Sequence, residues 1–391
     1  MTAVSSLTIV GYKSIRDLSD FKLNDLNVLI GANGAGKSNF ISLFRLLNEM
    51  YEQNLQIYVQ TQGGPDALLH FGRNTTEQLH AEFYFGLNGY QFDLIPTADN
   101  RLIFKNEDTW FGGGSMNRPV KIKGGNSHVI GSGNNESKLK ETNDTFAEYV
   151  RPAIQRWRVY HFHDTSHTAK VKQLHHVNDN LLLKTDAANL AAYLRMLKNK
   201  HFAEYQRIVD TIRLVAPFFG DFVHRPGEPD YIELEWTQRG RPDTPFKAHL
   251  LSDGTLRFIC LATLLLQPIG LIPKTILIDE PELGLHPYAI SILADIFKQV
   301  TLASNSVNSL HPHSQKLSKF LDPTRSNSRQ LIVSTQSVEL VNELSPEDVI
   351  VVDYEDDASI FRRFSQDELS GWLEEYSMGE LWKCNILGGR P

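Results

Sequence analysis

The sequence predicts an α/β protein with a mixed central sheet, an antiparallel β subdomain and a helical insertion. Three observations carry this. Short, almost wholly apolar runs stand near both ends of the chain, "LNVLI" (26–30), "TILI" (275–278) and "LIV" (331–333), as expected of strands covered on both faces. A glycine-rich turn after the first run opens into "SNFISLFRLLNEMYEQ", whose Phe40, Ile41, Phe44, Leu47 and Tyr51 keep helical spacing. Between the ends, "LHAEFYFGL", "YQFDLIP" and "RLIFKN" alternate with period two, as antiparallel strands do.

The elements follow in order. "LTIVGY" and "LNVLI" read as two strands joined by a polar turn region. Residues 111–145, rich in Gly, Asn, Ser and Lys, read as a long loop. Residues 146–225 read as mainly helical around one strand, "RWRVYHFH", and "DYIELEW" as a further strand. Leu256–Leu266 is a nearly all-apolar helix ending at Pro268, and "TILIDE" leads into a helix from Pro287. Residues 302–329, rich in Ser, Asn and His, read as a surface insertion, and Ser365 with Glu368 forms a capping box in the tail. Residues 1–75 and 245–391 are expected to build one core from two sequence halves, with 76–244 as an inserted β and helical subdomain. Neither a tandem repeat nor a long heptad tract occurs.

A chain of 391 residues, 41% hydrophobic and 22% charged, can bury a large core. Its net charge of −7 excludes a general basic clamp for nucleic acid, so any DNA or RNA contact needs a local patch. The two cysteines, Cys260 and Cys384, are far apart, which argues against a disulfide framework and fits a cytoplasmic protein. "MTAVSSLTIVGYKS" lacks the features of a signal peptide. The longest apolar stretch is interrupted by Gln267 and Pro268, so no membrane span is expected.

"GANGAGKS", Gly31 to Ser38, matches G-x-x-x-x-G-K-[ST] between a strand and a helix. Its glycines let backbone N–H groups wrap phosphates, and the helix N-terminus adds positive dipole. Asn33, Gly34, Ala35, Gly36, Lys37, Ser38 and Asn39 are therefore the expected ATP-binding residues. Lys37 reaches the β- and γ-phosphates and Ser38 ligates Mg²⁺. At the end of "TILIDEPELGLHP", Asp279 is the second expected Mg²⁺ ligand and Glu280 the residue that polarises the attacking water. Ser252, Asp253 and Gly254 precede the apolar helix and form another helix N-terminus suited to an anion, or simply a good cap.

These three elements, in this order, resemble the ABC-type P-loop ATPase heads of the SMC, RecF and OLD-like proteins. "LLSDGT" resembles the ABC signature, "PELGLHP" the D-loop, "STQS" (334–337) the switch loop, and "GYKSI" (11–15) the strand segment that opens such heads. The likeness is to compact bacterial members without a Toprim domain, often found in phage-defence operons; the tail "MGELWKCNILGGRP" and "YHFHDTS" also resemble segments of that group. The resemblance covers 1–75 and 245–391 and is weak between them. It implies an ATP-dependent head-to-head homodimer in which Ser252 and Gly254 act in trans on ATP held by Lys37. The switch position is histidine in most relatives and Gln336 here. Glutamine can still orient water but carries no charge, so slow hydrolysis is expected.

The resemblance implies control of DNA or RNA, or of a separately encoded effector, a Toprim-like nuclease or a toxin, in phage defence or DNA maintenance. The stretch after Gln336 is too short for a Toprim domain. The competing reading is an ATP-dependent scaffold with little or no turnover. Gln56, Gln60, Gln62 and Gln78 are all candidates for the Q-loop glutamine. His161, His163, Asp164, His167, His175 and His176 invite a metal reading against that of a polar patch or channel lining. Lys121, Lys123, Lys170, Lys172, Arg195, Lys198 and Lys200 invite a DNA-facing groove against that of a solvated face.

Overall fold

The computed structural model describes residues 3–115, 118–120, 127–225, 227, 230–301 and 329–389. The expected surface insertion therefore lies outside the described residues, apart from Thr301 and Arg329 at its flanks. The strands are β1 (Ser6–Tyr12), β2 (Ile15–Lys22), β3 (Leu26–Ile30), β4 (Leu79–Phe85), β5 (Asn88–Pro96), β6 (Leu102–Phe111), β7 (Gly113–Ser115), β8 (Arg118–Val120), β9 (Ser127–Gly131) and β10 (Val159–Tyr160). After these come β11 (His175–His176), β12 (Phe219–Phe222), β13 (Tyr231–Ile232), β14 (Glu235–Gln238), β15 (Arg241–Lys247), β16 (Thr275–Asp279), β17 (Gln330–Ser334), β18 (Val349–Glu355) and β19 (Ala358–Arg363). The helices are α1 (Lys37–Tyr51), α2 (Leu55–Thr61), α3 (Ala147–Ile154), α4 (Leu190–Lys200), α5 (Phe202–Val215), α6 (Asp253–Leu266), α7 (Pro287–Thr301), α8 (Val338–Asn342), α9 (Gln366–Leu373) and α10 (Met378–Lys383).

The central sheet runs β10-β16-β17-β3-β18-β19 and is parallel except for β19, which returns antiparallel along β18. It is mixed, as the sequence predicts. The N-terminal β3 lies between β17 and β18, so the two ends of the chain interleave in one sheet. Alternate residues on these strands feed opposite cores. Val28, Ile30, Leu331, Val333, Val349 and Val351 pack with α4–α7. Leu29, Ile332, Ile350, Val352 and Leu277 pack with α1 and the second sheet. The result is a layered α/β body with the sheet buried on both faces.

The second sheet, β2-β1-β4-β5-β6-β9, is antiparallel throughout. It takes β1 and β2 from before position 75, while the central sheet takes β10 from the segment 76–244. Both sheets thus cross the expected sequence boundaries. Three local readings change. The N-terminal pair of strands is three, because the polar segment Ile15–Lys22 pairs as β2 on the edge. The long loop 111–145 contributes β9 and is tied down at its far end by Glu107, whose Oε2 accepts from Lys138 N at 2.8 Å. Of "RWRVYHFH" only Val159–Tyr160 is a strand. Among the described residues no helix is long and apolar enough to cross a membrane.

One cross-strand contact in the second sheet is pH-dependent. His80 on β4 bonds Asp93 Oδ1 at 2.8 Å and lies 3.5 Å from Glu82 Oε1. The bonds to Asp93 and then Glu82 raise its pKa from 6.5 to about 9. A histidine held above its unfolded value stabilises the fold fully below 6.5 and loses that contribution as pH rises through 9. His80→Gln is predicted to cost about 1.5–3 kcal/mol at pH 6, the range for hydrogen bonds to charged groups. Denaturant unfolding should show the difference shrinking between pH 6.5 and 9; a constant difference would refute the ion-pair account.

Candidate functional site

The glycine-rich turn leaves β3 where β18 crowds it. Gly31 has φ 150°, and a Cβ there would collide with the carbonyl oxygen of Val352. Gly36 has φ 120°, and a Cβ there would strike Ser359 Oγ and approach Ser14 Oγ at 3.0 Å. Gly34, with φ 83°, faces open space. Ser359 Oγ donates to Ala35 O at 2.6 Å and shares a 2.6 Å hydrogen bond with Ser14 Oγ, which also accepts from Asn39 Nδ2 at 2.7 Å. The turn is thus braced by the β1–β2 hairpin and by β19. Asn33 and Gly34 are exposed at its crest, and Ser38 is exposed in the first turn of α1.

Lys37 is only 5% exposed. Its Nζ folds back over the turn to donate to Gly31 O at 2.5 Å and Ala32 O at 3.1 Å. Burial pulls its pKa below the ordinary lysine value, opposed in order by the charges of Glu280, Asp279 and Glu282.

Those carboxylates arrive through strand register. Asp279 pairs with Ser334, and Ser334 with Leu29, which brings the C-terminal ends of β16, β17 and β3 side by side. Asp279 Oδ1 accepts a hydrogen bond from Ser334 Oγ. Glu280 leaves strand geometry at φ 43°, a left-handed conformation costing about 1–3 kcal/mol for a residue with a side chain. Its N–H donates to Ser334 O at 3.0 Å, and its Oε1 accepts from the side-chain amide of Gln336. Gln336 therefore rests on Glu280, an arrangement its place in the sequence does not reveal.

Three further residues complete the row. Glu282, 7% exposed, accepts the Gln336 backbone N–H at 2.8 Å through Oε1, and its Oε2 is buried with no hydrogen-bond partner. His163 Nε2 lies 3.0 Å from Asp279 O. Arg257 on α6 donates to Leu283 O at 2.8 Å and to His163 O at 2.9 Å, joining the α6 N-terminus, the D-loop-like segment and the chain after β10. The sequence offers no sign of Glu282 or Arg257 in this row, and it marks His163 only as part of a histidine-rich segment open to a metal or a polar-patch reading. Glu282 stood inside a quoted motif, but only the tertiary fold turns it toward residue 336.

Ser252 and Gly254 lie apart from this row. Ser252 is exposed and caps α6 by accepting from Thr255 N at 3.2 Å. Gly254 packs so closely on Gly284 that a Cβ would strike the Gly284 carbonyl. Three of the four glutamines considered for a Q-loop are engaged around the second sheet: Gln56 with Leu102 O and Asn135 O, Gln60 with Asn100 O, Gln78 with Lys105. Among the described residues no group of three or more His, Cys, Asp or Glu is arranged to hold a metal ion; His167 instead stacks on His249, and His176 meets Tyr231 edge-on. Lys170 and Lys198 pair with Asp186 and Asp221, Lys172 donates to Thr165 O, and Arg195 donates to Gly227 O at 2.7 Å. Lys121 and Lys123 lie outside the described residues.

The sheet order and the row at its strand ends define a P-loop NTPase of the ABC-type head architecture. The chain belongs to the family described as "AAA domain, putative AbiEii toxin, Type IV TA system", whose model matches residues 26–342. It has the fold of an Smc head solved with the C-winged helix domain of ScpA: 14% identity, TM-score 0.57, covering 94% of this chain and 99% of that one. A Pyrococcus furiosus Smc head with an extended coiled coil, bound to the C-terminal domain of ScpA, is similar at 13% identity and TM-score 0.55, covering 96% and 99%. No curated protein matches the chain.

Burial pushes the Glu282 carboxyl above its ordinary pKa, against hydrogen bonds from Thr335 and the Gln336 N–H. An acid raised in the folded state costs stability as pH climbs from its unfolded value toward its folded one. Glu282→Gln keeps an acceptor for the Gln336 N–H and removes the buried charge. It is predicted to raise the free energy of unfolding at pH 7, with the gain vanishing below the ordinary value of 4.5. Chemical denaturation at pH 4 and 7 checks this; a variant less stable at pH 7 would contradict it.

Proposed function

We propose that the chain is a slow Mg²⁺-dependent ATPase of the RecF/OLD-like group that dimerises on ATP to control nucleic acid or a separately encoded effector. The observation carrying this reading is the row of Lys37, Asp279, Glu280 and Gln336 at the C-terminal ends of adjacent parallel strands, where open α/β sheets bind ligands. The turn Asn33–Gly36 offers backbone N–H groups to phosphates, Lys37 a charge toward the β- and γ-phosphates, and Asn39 a position beside them in α1.

The donor set suits Mg²⁺, a hard cation that takes one or two protein oxygens beside phosphates and waters: the exposed Ser38 hydroxyl and the Asp279 carboxylate are such a pair. Bound there, the ion would neutralise charge developing on the phosphates. Glu280 accepts the proton of the attacking water, and Gln336 holds that carboxylate in place. The Gln336 amide occupies Oε1 of Glu280 and leaves Oε2 for water, while glutamine brings no positive charge to the phosphates, which supports slow turnover. The same contact favours the second reading, a regulatory scaffold that binds ATP and scarcely hydrolyses it.

Ser252 and Gly254 are proposed to act in trans, on ATP bound by the partner protomer. The exposure of Ser252 at the α6 N-terminus supports this. Assignment to phage defence or DNA maintenance, with DNA or RNA or a Toprim-like nuclease or toxin as partner, rests on the family likeness; the family description itself names a toxin–antitoxin system. A reducing cytoplasmic setting fits the free Cys260 and Cys384.

Lys37→Ala is predicted to abolish ATP binding or hydrolysis. Glu280→Gln should keep binding, lose about 10²–10⁴-fold in turnover and accumulate dimer in ATP. Gln336→Ala should lower turnover while leaving affinity nearly intact. Phosphate release and light scattering read these outcomes, and normal hydrolysis by Glu280→Gln would remove it from the role of base. Mixing Ser252→Arg with Lys37→Ala protomers should restore part of the activity each lacks alone, since each mixed pair has one site free of lesions. Heterodimers without rescue would rule out composite sites.

A further inference from the structure

The C-terminal tail does more than end the chain. α10 docks on α8, the helix that begins directly after the switch-like segment: Gly379 N donates to Asn342 Oδ1 at 2.7 Å, and a Cβ at Gly379 would lie 2.6 Å from Val338 Cγ1. Leu381 and Trp382 are fully buried there. The chain then returns to the root of the glycine-rich turn. Gly389 N donates to Asp353 Oδ1 at 2.5 Å, and Trp382 Nε1 donates to Gly389 O. Gly388 and Gly389 have φ 82° and 59°, where glycine is favoured. A Cβ on Gly389 would sit 3.2 Å from Gly31 Cα and 2.8 Å from Val351 Cγ1, and one on Gly388 would collide with Asp353 Oδ2. Beside this contact a cleft of about 420 Å³ opens between Ala32–Ala35, Asp353, Tyr354 and Asn385.

We infer that the tail is a brace joining the switch helix to the glycine-rich turn, with Trp382, Asp353 and the Gly388–Gly389 pair as positioning residues for phosphate binding. The part concerning nucleotide rests on the function proposed above; the mechanical part does not. Gly31 approaches the Val352 carbonyl too closely for a side chain, and Gly389 packs into the same corner, where a Cβ on it would fall 3.2 Å from both Gly31 Cα and Val352 O, so the turn root is confined by two remote segments as well as by the motif. Since α10 also carries α8, displacement of the switch segment and loosening of the turn share one connection.

The experiment compares amide hydrogen exchange at residues 31–38 in the nucleotide-free, full-length protein, together with the affinity for a fluorescent ATP analogue. Trp382→Phe keeps a buried ring but loses the indole donor to Gly389 O. Asp353→Ala loses the acceptor for Gly389 N, whereas Asp353→Asn keeps it. The first two variants are expected to exchange about tenfold faster at 31–38 and to bind the analogue about tenfold more weakly, with Asp353→Asn close to wild type. Wild-type exchange at 31–38 in folded Trp382→Phe and Asp353→Ala would overturn the brace. If the wild-type protein binds no ATP analogue, the proposed function fails while the exchange contrast still upholds the brace. Trp382→Phe, with its ring retained, keeps the test decisive should Asp353→Ala not fold.

Discussion

Everything at this site hangs on the close approach of Gly31 to the carbonyl of Val352. β3 and β18 run parallel in register, with Ile30 opposite Val351, so the chain leaves β3 directly against its neighbour. No side chain fits there. Ser359 and Ser14 then close on the turn at Gly36 and Asn39, and Gly389 closes on Gly31. The local motif supplies glycines able to take the required angles, while segments more than 300 residues away in sequence decide which angles are taken.

The second constraint is electrostatic. Strand register brings Asp279, Glu280 and Glu282 toward the buried ammonium of Lys37. Burial weakens the charged form of lysine and the carboxylates restore part of it. Glu282 bears the cost most plainly, being buried with one oxygen unpaired. What it returns is a fixed path for the switch segment, through the N–H of Gln336. Gln336 in turn engages Glu280, so it is tied to the carboxylate row at both its backbone and its side chain.

A third connection links this row to the exposed start of α6. Arg257 reaches Leu283 O, His163 O and Thr165 Oγ1, and His163 lies against Asp279 O. Gly254 packs on Gly284 beside it. The α6 N-terminus, the segment after Glu282 and the end of β10 therefore form one packed unit, which gives a physical route between the outer face carrying Ser252 and the carboxylates. Breaking it would leave the half-buried Arg257 guanidinium, whose buried Nε already lacks a partner, further unsatisfied.

The sequence by itself determined the chemistry-bearing elements. An apolar run, a glycine turn and an amphipathic helix specify β3, the P-loop and α1 through local propensity, and the same holds for β16 with Asp279 and for the apolar helix α6. Period-two alternation marked β4, β5 and β6. Only the tertiary structure decided which segments meet. β10 joins the central sheet and β1–β2 the second sheet because pairing is chosen by burial on a shared face, which no window of sequence contains. β2 is polar and half exposed at an edge, so its pattern does not announce a strand. The contacts of Glu282, His163, Arg257 and the Gly388–Gly389 pair stayed illegible for the same reason, even where the residue stood in a quoted segment: each acts through a partner brought near by packing. Likewise Gln336 can be placed at a strand end from sequence, but its contact with Glu280 exists only because β16 and β17 end in register and Glu280 turns out of the strand at φ 43°.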